Sequence, residues 1–342
     1  MSRSKKIAIF TALALIVAGI AIMLAAMISI QFDSERLNTM KRETKTYTVE
    51  QTFESIDVRD TEYDVRLRTS DNGTCRVVCD DAEKIFHTVT VENGTLTVTR
   101  TDTRAWYERI GIFWGDLRTP TVTVYLPMSE YQSLYVKTVS GNIDVTTGLP
   151  FADTTLLSTS GNVTFSGTVS GALSAKTVSG DIVLEATAGD LTVSSTSGDV
   201  SLSHLTVSSL KADSSSGDIV LSSATVSGNA VLKAVSGDVN VHITEAFTLQ
   251  AKTTSGDIEL SEALIDGALT LEAVSGIVEL SDTDAASLRI KTVSGDVEGS
   301  LLSAKSFVTH TTSGNIRTPA SDPTAGLCEI TTTSGDIELR LR

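Results

Sequence analysis

Proline is scarce, with five residues in 342, aromatic residues make up 5% of the chain, and there are only three cysteines. So few cysteines exclude a small disulfide-stapled scaffold. Cys75 and Cys79 stand four apart in an alternating, strand-like run; their Cα atoms would lie about 13 Å apart, beyond disulfide reach. Histidine is equally sparse: His87, His204, His242 and His310 lack the close spacing of a transition-metal site. No Ser/His/Asp or Cys/His nucleophile arrangement stands out either. Positive charge is short as well. The formal net charge is -15, and residues 120–342 hold 25 Asp and Glu against 11 Lys and Arg. Nucleic acid is thereby excluded as a partner, because gripping a phosphate backbone takes clustered cations.

What the chain does have is serine, threonine, valine and 24 glycines, a vocabulary for strands and turns. One uncharged run stands apart, from Ile7 to Ile30, behind Arg3, Lys5 and Lys6. Its twenty-four residues would extend about 36 Å as a helix, enough to cross a bilayer with some tilt. Met27, Ile28 and Ile30 close it where a cleavable leader would carry small residues. The expectation is a cytoplasmic tail over 1–6, a transmembrane helix over 7–30 and a linker over 31–46. Positive charge ahead of the span places the remainder outside the cell membrane.

Self-similarity is the strongest signal. Ser-Gly recurs at Gly141, Gly161, Gly180, Gly198, Gly217, Gly237, Gly256, Gly276, Gly295, Gly314 and Gly335, spaced by 18 to 21 residues. Asp or Asn follows the glycine in every copy except at Ile277, and Ile or Val comes next. Alternation then assigns faces. Leu173, Leu191, Leu210, Leu249, Leu269 and Leu288, seven before the glycine, form a core column that Cys328 joins in the last copy. Lys137, Lys176, Lys233, Lys252 and Lys291, four before it, point to water. A single unit cannot bury its own apolar side, so the units stack about 4.8 Å apart. The predicted fold is all-β: a right-handed parallel β-solenoid of about eleven rungs over 120–342.

Each corner glycine is expected at positive φ, with the Asp or Asn side chain bonding its own turn. A sharper reading starts from Asp181, Asp199, Asp218, Asp238 and Asp257, which stacking aligns as a ladder of like charges. Neighbours about 4.8 Å apart repel by about 0.9 kcal/mol in water before screening, and Ca²⁺ along the ladder would relieve that. The Ca²⁺-binding nonapeptide pattern is absent.

Residues 47–119 alternate as strands, with an Asn93-Gly94 hairpin signal, and are expected to begin and cap the solenoid. An insertion at 102–118 holds both tryptophans; Trp106, Tyr107, Phe113 and Trp114 are either a flap packed on the solenoid or a partner-binding cluster. The last rung, closing at Arg340-Leu341-Arg342, would be a bare sheet edge, open to end-to-end self-association.

The Ser-Gly-Asp-Ile/Val corner at this period, preceded by Thr121-Val-Thr-Val-Tyr-Leu-Pro127 and an N-terminal anchor, resembles the bacterial putative adhesin domain family, a domain of unknown function. The resemblance covers about residues 50–342. It implies a right-handed β-helix and, as in some members, a membrane anchor and a link to cell-envelope stress. Ile277 departs from the pattern. The reading is a non-catalytic, extracytoplasmic adhesin or envelope interaction scaffold without a cofactor, meeting envelope proteins or cell-wall polymers. A Ca²⁺-dependent scaffold and a polysaccharide-active β-helix enzyme are the alternatives. An enzyme needs its carboxylates gathered in one cleft, whereas here they are spread one per rung.

Overall fold

The computed structural model describes residues 3–29, 42–106 and 119–342. The chain divides into two compact units, Met1–Thr44 with Asp80–Phe86 and Thr101–Thr119, and Lys45–Cys79 with His87–Arg100 and Pro120–Arg342.

The first unit contains α1 (Arg3–Ser29). Its described side chains are exposed, among them Phe10, Leu15 and Ile22 at about 70%. No helix among the described residues is long and apolar enough to cross a membrane. The span read at 7–30 therefore does not follow from the described residues. The linker read over 31–46 also needs correction: residues 31–41 lie outside the described ones, and from Arg42 the chain is already strand β1 (Arg42–Val49). Its Thr46-Tyr47-Thr48-Val49 favours extended backbone. Elsewhere in this unit the Thr103 N–H donates to Lys84 O at 2.9 Å, and Arg104 forks onto Asp102.

The second unit is a stack of parallel coils. It opens with β2 (Ser55–Arg59), β3 (Asp64–Thr69), β4 (Cys75–Ala82), β5 (Ile85–Glu92), β6 (Thr95–Asp102), β7 (Thr121–Leu126) and β8 (Tyr131–Lys137). Long bent strands follow, one per coil: β9 (Ile143–Leu157), β10 (Val163–Lys176), β11 (Ile182–Ser195), β12 (Val200–Ser214), β13 (Ile219–Ala234), β14 (Val239–Lys252), β15 (Ile258–Glu272) and β16 (Val278–Lys291). Shorter pieces close it: β17 (Val297–Leu301), β18 (Ser306–Ser313), β19 (Ile316–Arg317), β20 (Leu327–Ser334) and β21 (Ile337–Leu341).

Register is set by the repeat. Ile219 lies beside Val239, Leu221 beside Val241 and Leu232 beside Ala251, and each column continues through its neighbours. Ile182, Val200, Ile219, Val239, Ile258 and Val278 are fully buried one above another, as are Leu184, Leu202, Leu221 and Leu260. Each large aliphatic side chain so enclosed contributes about 1.5–3 kcal/mol. The lysine column stands in solvent, with Lys252 Nζ 3.1 Å from Glu272 in the next coil.

Between corners the five strands β12 to β16 each bend where one residue adopts left-handed backbone: His204, Ser223, Ile243, Glu262 and Asp282, at φ of 44 to 53°. All five sit six residues after their corner glycine, and the pairing skips them: Ser203 meets Ser222, then Leu205 meets Ala224.

Both ends depart from sequence order. At one end β2–β3 is flanked by β8–β9 and by β6–β7. The outer side of β7 is paired antiparallel with β4, and the core there stays closed, with Leu96, Val98, Val122 and Val124 fully buried. At the other end β20–β21 lies between β16–β17 and β18–β19. The last rung in sequence is therefore not the edge, and association through it has no free strand to use. The edge coil is the one turning at Gly314, whose Ile316 is 43% exposed where Ile337 beneath it is 0%. The loop before β20 partly covers that edge, Ser321 Oγ accepting the Phe307 N–H at 3.0 Å.

Cys75, Cys79 and Cys328 are all buried. Burial pushes Cys75 and Cys328 up to about 12, so both are inert hydrophobes at neutral pH.

Candidate functional site

The Ser-Gly-Asp corners form a continuous polar seam. None of the corner glycines is at positive φ, which corrects the reading made from the sequence. Glycine is required because adjacent coils nearly touch: a Cβ on Gly217 would fall on the carbonyl of Gly198, and one on Gly198 on that of Gly180. The carboxylates also act differently from expectation. Each reaches across to the next coil: Asp181 Oδ1 accepts the Asp199 N–H at 3.0 Å, Asp199 the Asp218 N–H at 2.9 Å, Asp218 the Asp238 N–H at 2.8 Å, and Asp238 the Asp257 N–H at 2.8 Å. Asp257 accepts from Ile277 at 2.7 Å, and there the relay stops because Ile277 has no oxygen to pass on. It resumes from Asp296 to Asp336 to Asn315. Like charges thus stack, each with one oxygen on a backbone donor of the next coil.

A second column, three residues before the glycine, completes the seam. The Ser214 hydroxyl accepts the Gly217 N–H at 3.0 Å and donates to Gly198 O at 3.3 Å. Ser158, Thr177 and Ser195 make the same two bonds in their own coils. The sequence marks this column by its restriction to Ser, Thr and Ala, and the hydroxyl bridge is the cause.

At the first corner Tyr63 takes the glycine place, and Asp60 replaces the hydroxyl residue. Asp60 Oδ1 accepts the N–H groups of Thr61, Glu62 and Tyr63 at 2.6–2.8 Å, while Oδ2 lies 2.8 Å from His87 Nε2. Both side chains are 1% exposed. Burial works against the Asp60 charge, but the His87 hydrogen bond and the backbone donors outweigh it and hold the carboxyl below its ordinary range. Arg100 lies over the Tyr63 ring at 5.6 Å. Sequence reading missed this pair, whose members are 27 residues apart; the only available signal was an acid at a Ser/Thr position.

Two further groupings come from stacking alone. Glu259, Glu279, Glu298 and Glu338 stand in register beside the aspartate seam. Lys305, 4% exposed, gives its ammonium to Asp284 Oδ1 (2.6 Å), Ala285 O (2.7 Å) and Ser303 Oγ (2.7 Å), clamping the chain where it leaves the regular coil. Partial burial opposes the Asp284 charge, but Lys305 and Ser303 outweigh it and hold the carboxyl below its usual range. In the aromatic cluster read over 102–118, Trp106 is 73% exposed, while Tyr107, Phe113 and Trp114 lie outside the described residues.

The chain is thus all-β, with about ten stacked solenoid-like coils joined along a hydrogen-bonded Ser-Gly-Asp seam. The chain belongs to the Toastrack DUF4097 family, whose model matches residues 53–267 and 267–342. Among solved structures it is similar to a putative adhesin from Parabacteroides merdae ATCC 43184, at 14% identity over 77% of this chain and 97% of that one, TM-score 0.47. It is also similar to two proteins of Parabacteroides distasonis ATCC 8503. One is a putative lipid binding protein, at 15% identity over 87% and 97%, TM-score 0.42. The other is a putative adhesin, at 14% over 88% and 98%, TM-score 0.42. No curated protein matches it.

Proposed function

We propose that the chain is a non-catalytic, membrane-anchored scaffold of the cell envelope, an adhesin or stress-associated interaction protein. The uncharged Ile7–Ile30 run holds it in the membrane with residues 1–6 in the cytoplasm, and the right-handed solenoid stands outside. The observation that carries the scaffold reading is the use of the corner polar groups. The Asp, Ser and Thr side chains of the seam are engaged in joining one coil to the next, which suits a rod that presents its flanks rather than a cleft that gathers reactive groups. Anchoring rests on the sequence, through the length of the run and the cations ahead of it.

Fractionation of source cells tests it. The intact chain should remain in carbonate-washed membranes and be cut by protease added outside intact cells, and removing residues 7–30 should release it. Solenoid that is protected in intact cells, or intact chain found in the wash, overturns the proposal.

A further inference from the structure

The flank that follows the left-handed bend changes character along the rod. In the coils turning at Gly198 and Gly217 it presents His204, Thr206, Ser208, Ser223, Thr225 and Ser227. In the next two coils it presents Ile243, Phe247 and Leu264, exposed by 48%, 55% and 44%. Glu245 pairs with Leu264 in register, so Leu264 stands diagonal to Ile243 and Phe247, within side-chain reach of both. Ile243 holds φ 44°, a conformation that suits a β-branched side chain least. Ser223 fills the same place one coil earlier and His204 two coils earlier. An apolar side chain is thus kept in solvent at a position where both solvation and backbone favour another residue.

Acids lie alongside: Glu245 and Asp284 pair in register with Leu264 from the coils on either side, Glu262 and Asp266 stand two residues from it in its own strand, and Asp282 two residues before Asp284. Asp284 is paired with Lys305 and Asp282 with Arg342, while Glu245, Glu262 and Asp266 make no ion pair among the described residues. A pocket of about 560 Å³ adjoins, lined by Leu264, Ile265, Asp266, Asp284, Ala285 and Lys305.

We infer that this flank docks a segment of a partner protein in which apolar side chains alternate with Lys or Arg. Apolar residues flanked by charge of one sign are what such a segment complements. A second copy of this chain would bring the same acids against these, and an anionic lipid surface would be repelled by them. The inference does not depend on anchoring or on the adhesin reading.

The test uses the full chain in zwitterionic detergent solution, with the detergent alone as reference. The probes are fluorescent 12-residue peptides alternating Lys with Leu, Lys with Ser, and Glu with Leu, followed by anisotropy. The Lys–Leu peptide should bind above the reference and the other two should not. Phe247→Ser with Leu264→Ser should weaken binding about tenfold or more, and Thr206→Ser with Thr225→Ser should leave it unchanged. Ile243→Asn should weaken binding while raising Tm by about 2 °C. Equal binding by the Lys–Ser peptide or by the Phe247/Leu264 double variant would reduce the effect to net charge and overturn the inference. So would absence of Lys–Leu binding, or a Tm for Ile243→Asn that does not rise.

Discussion

Each regular coil bends at two corners, and the two obey different constraints. At the Ser-Gly-Asp corner the backbones of neighbouring coils pass so closely that a Cβ has no place to go, and glycine recurs eleven times. At the second corner the five consecutive coils of β12 to β16 take left-handed backbone, met by His, Ser, Ile, Glu and Asp in turn. A Cβ clash with fixed backbone on both sides cannot relax, whereas a single left-handed residue costs about 1–2 kcal/mol and leaves its side chain in water. Chemistry repeats only where adjacent coils leave no room.

The strongest challenge to this comparison lies at the irregular first corner. Asp60→Ala should destabilise by about 3–5 kcal/mol, since it removes the buried carboxylate beside His87 and leaves three backbone donors without their acceptor; denaturant melts measure it. The Asp60 carboxyl is depressed in the folded state, so its stabilisation is present above the unfolded carboxylate value of about 4 and lost as pH falls through the lower folded one. Melts of wild type and Asp60→Asn across pH 2–7 should therefore converge at the acid end. Gly217→Ala comes next, at about 3 kcal/mol from overpacking against Gly198, and a smaller loss would show that neighbouring coils can part. Ser214→Ala should cost about 1 kcal/mol through its two lost hydrogen bonds; Ala234 and Ala273 already occupy that column and are buried. Asp218→Asn keeps the acceptor for Asp238 and should change Tm little, with millimolar Ca²⁺ shifting neither protein; a Ca²⁺-dependent rise confined to the wild type would restore the ladder as a cation site. The smallest effect has the opposite sign: Ser223→Gly at the second corner should stabilise by about 0.5 kcal/mol, relief of the left-handed strain being offset in part by chain entropy.

The core columns were legible in the sequence because alternation and a fixed period place Leu210, Leu249 and Leu269 on one inward line, where they are buried. The corner was legible as a position, but its mechanism was not. An Asp after a Gly bonds its own turn in an isolated loop, and only a neighbouring coil supplies the N–H it accepts here. The second corner escaped because five different residues share one φ. The Ile243, Phe247 and Leu264 cluster escaped because it combines two coils that are unremarkable when read singly.

By itself the sequence determined a repeating all-β rod, the spacing of its coils, which side of each strand faces inward, and where glycine is obligatory. These follow from local period and from what one residue can bury. Tertiary structure alone decided the order of coils at the ends, placing Gly335 between Gly295 and Gly314, and β2–β3 beneath β6–β7. Near-identical repeats offer the same backbone groups to any neighbour. No local signal can say which two will pair, and the choice is made by how the whole stack covers its ends.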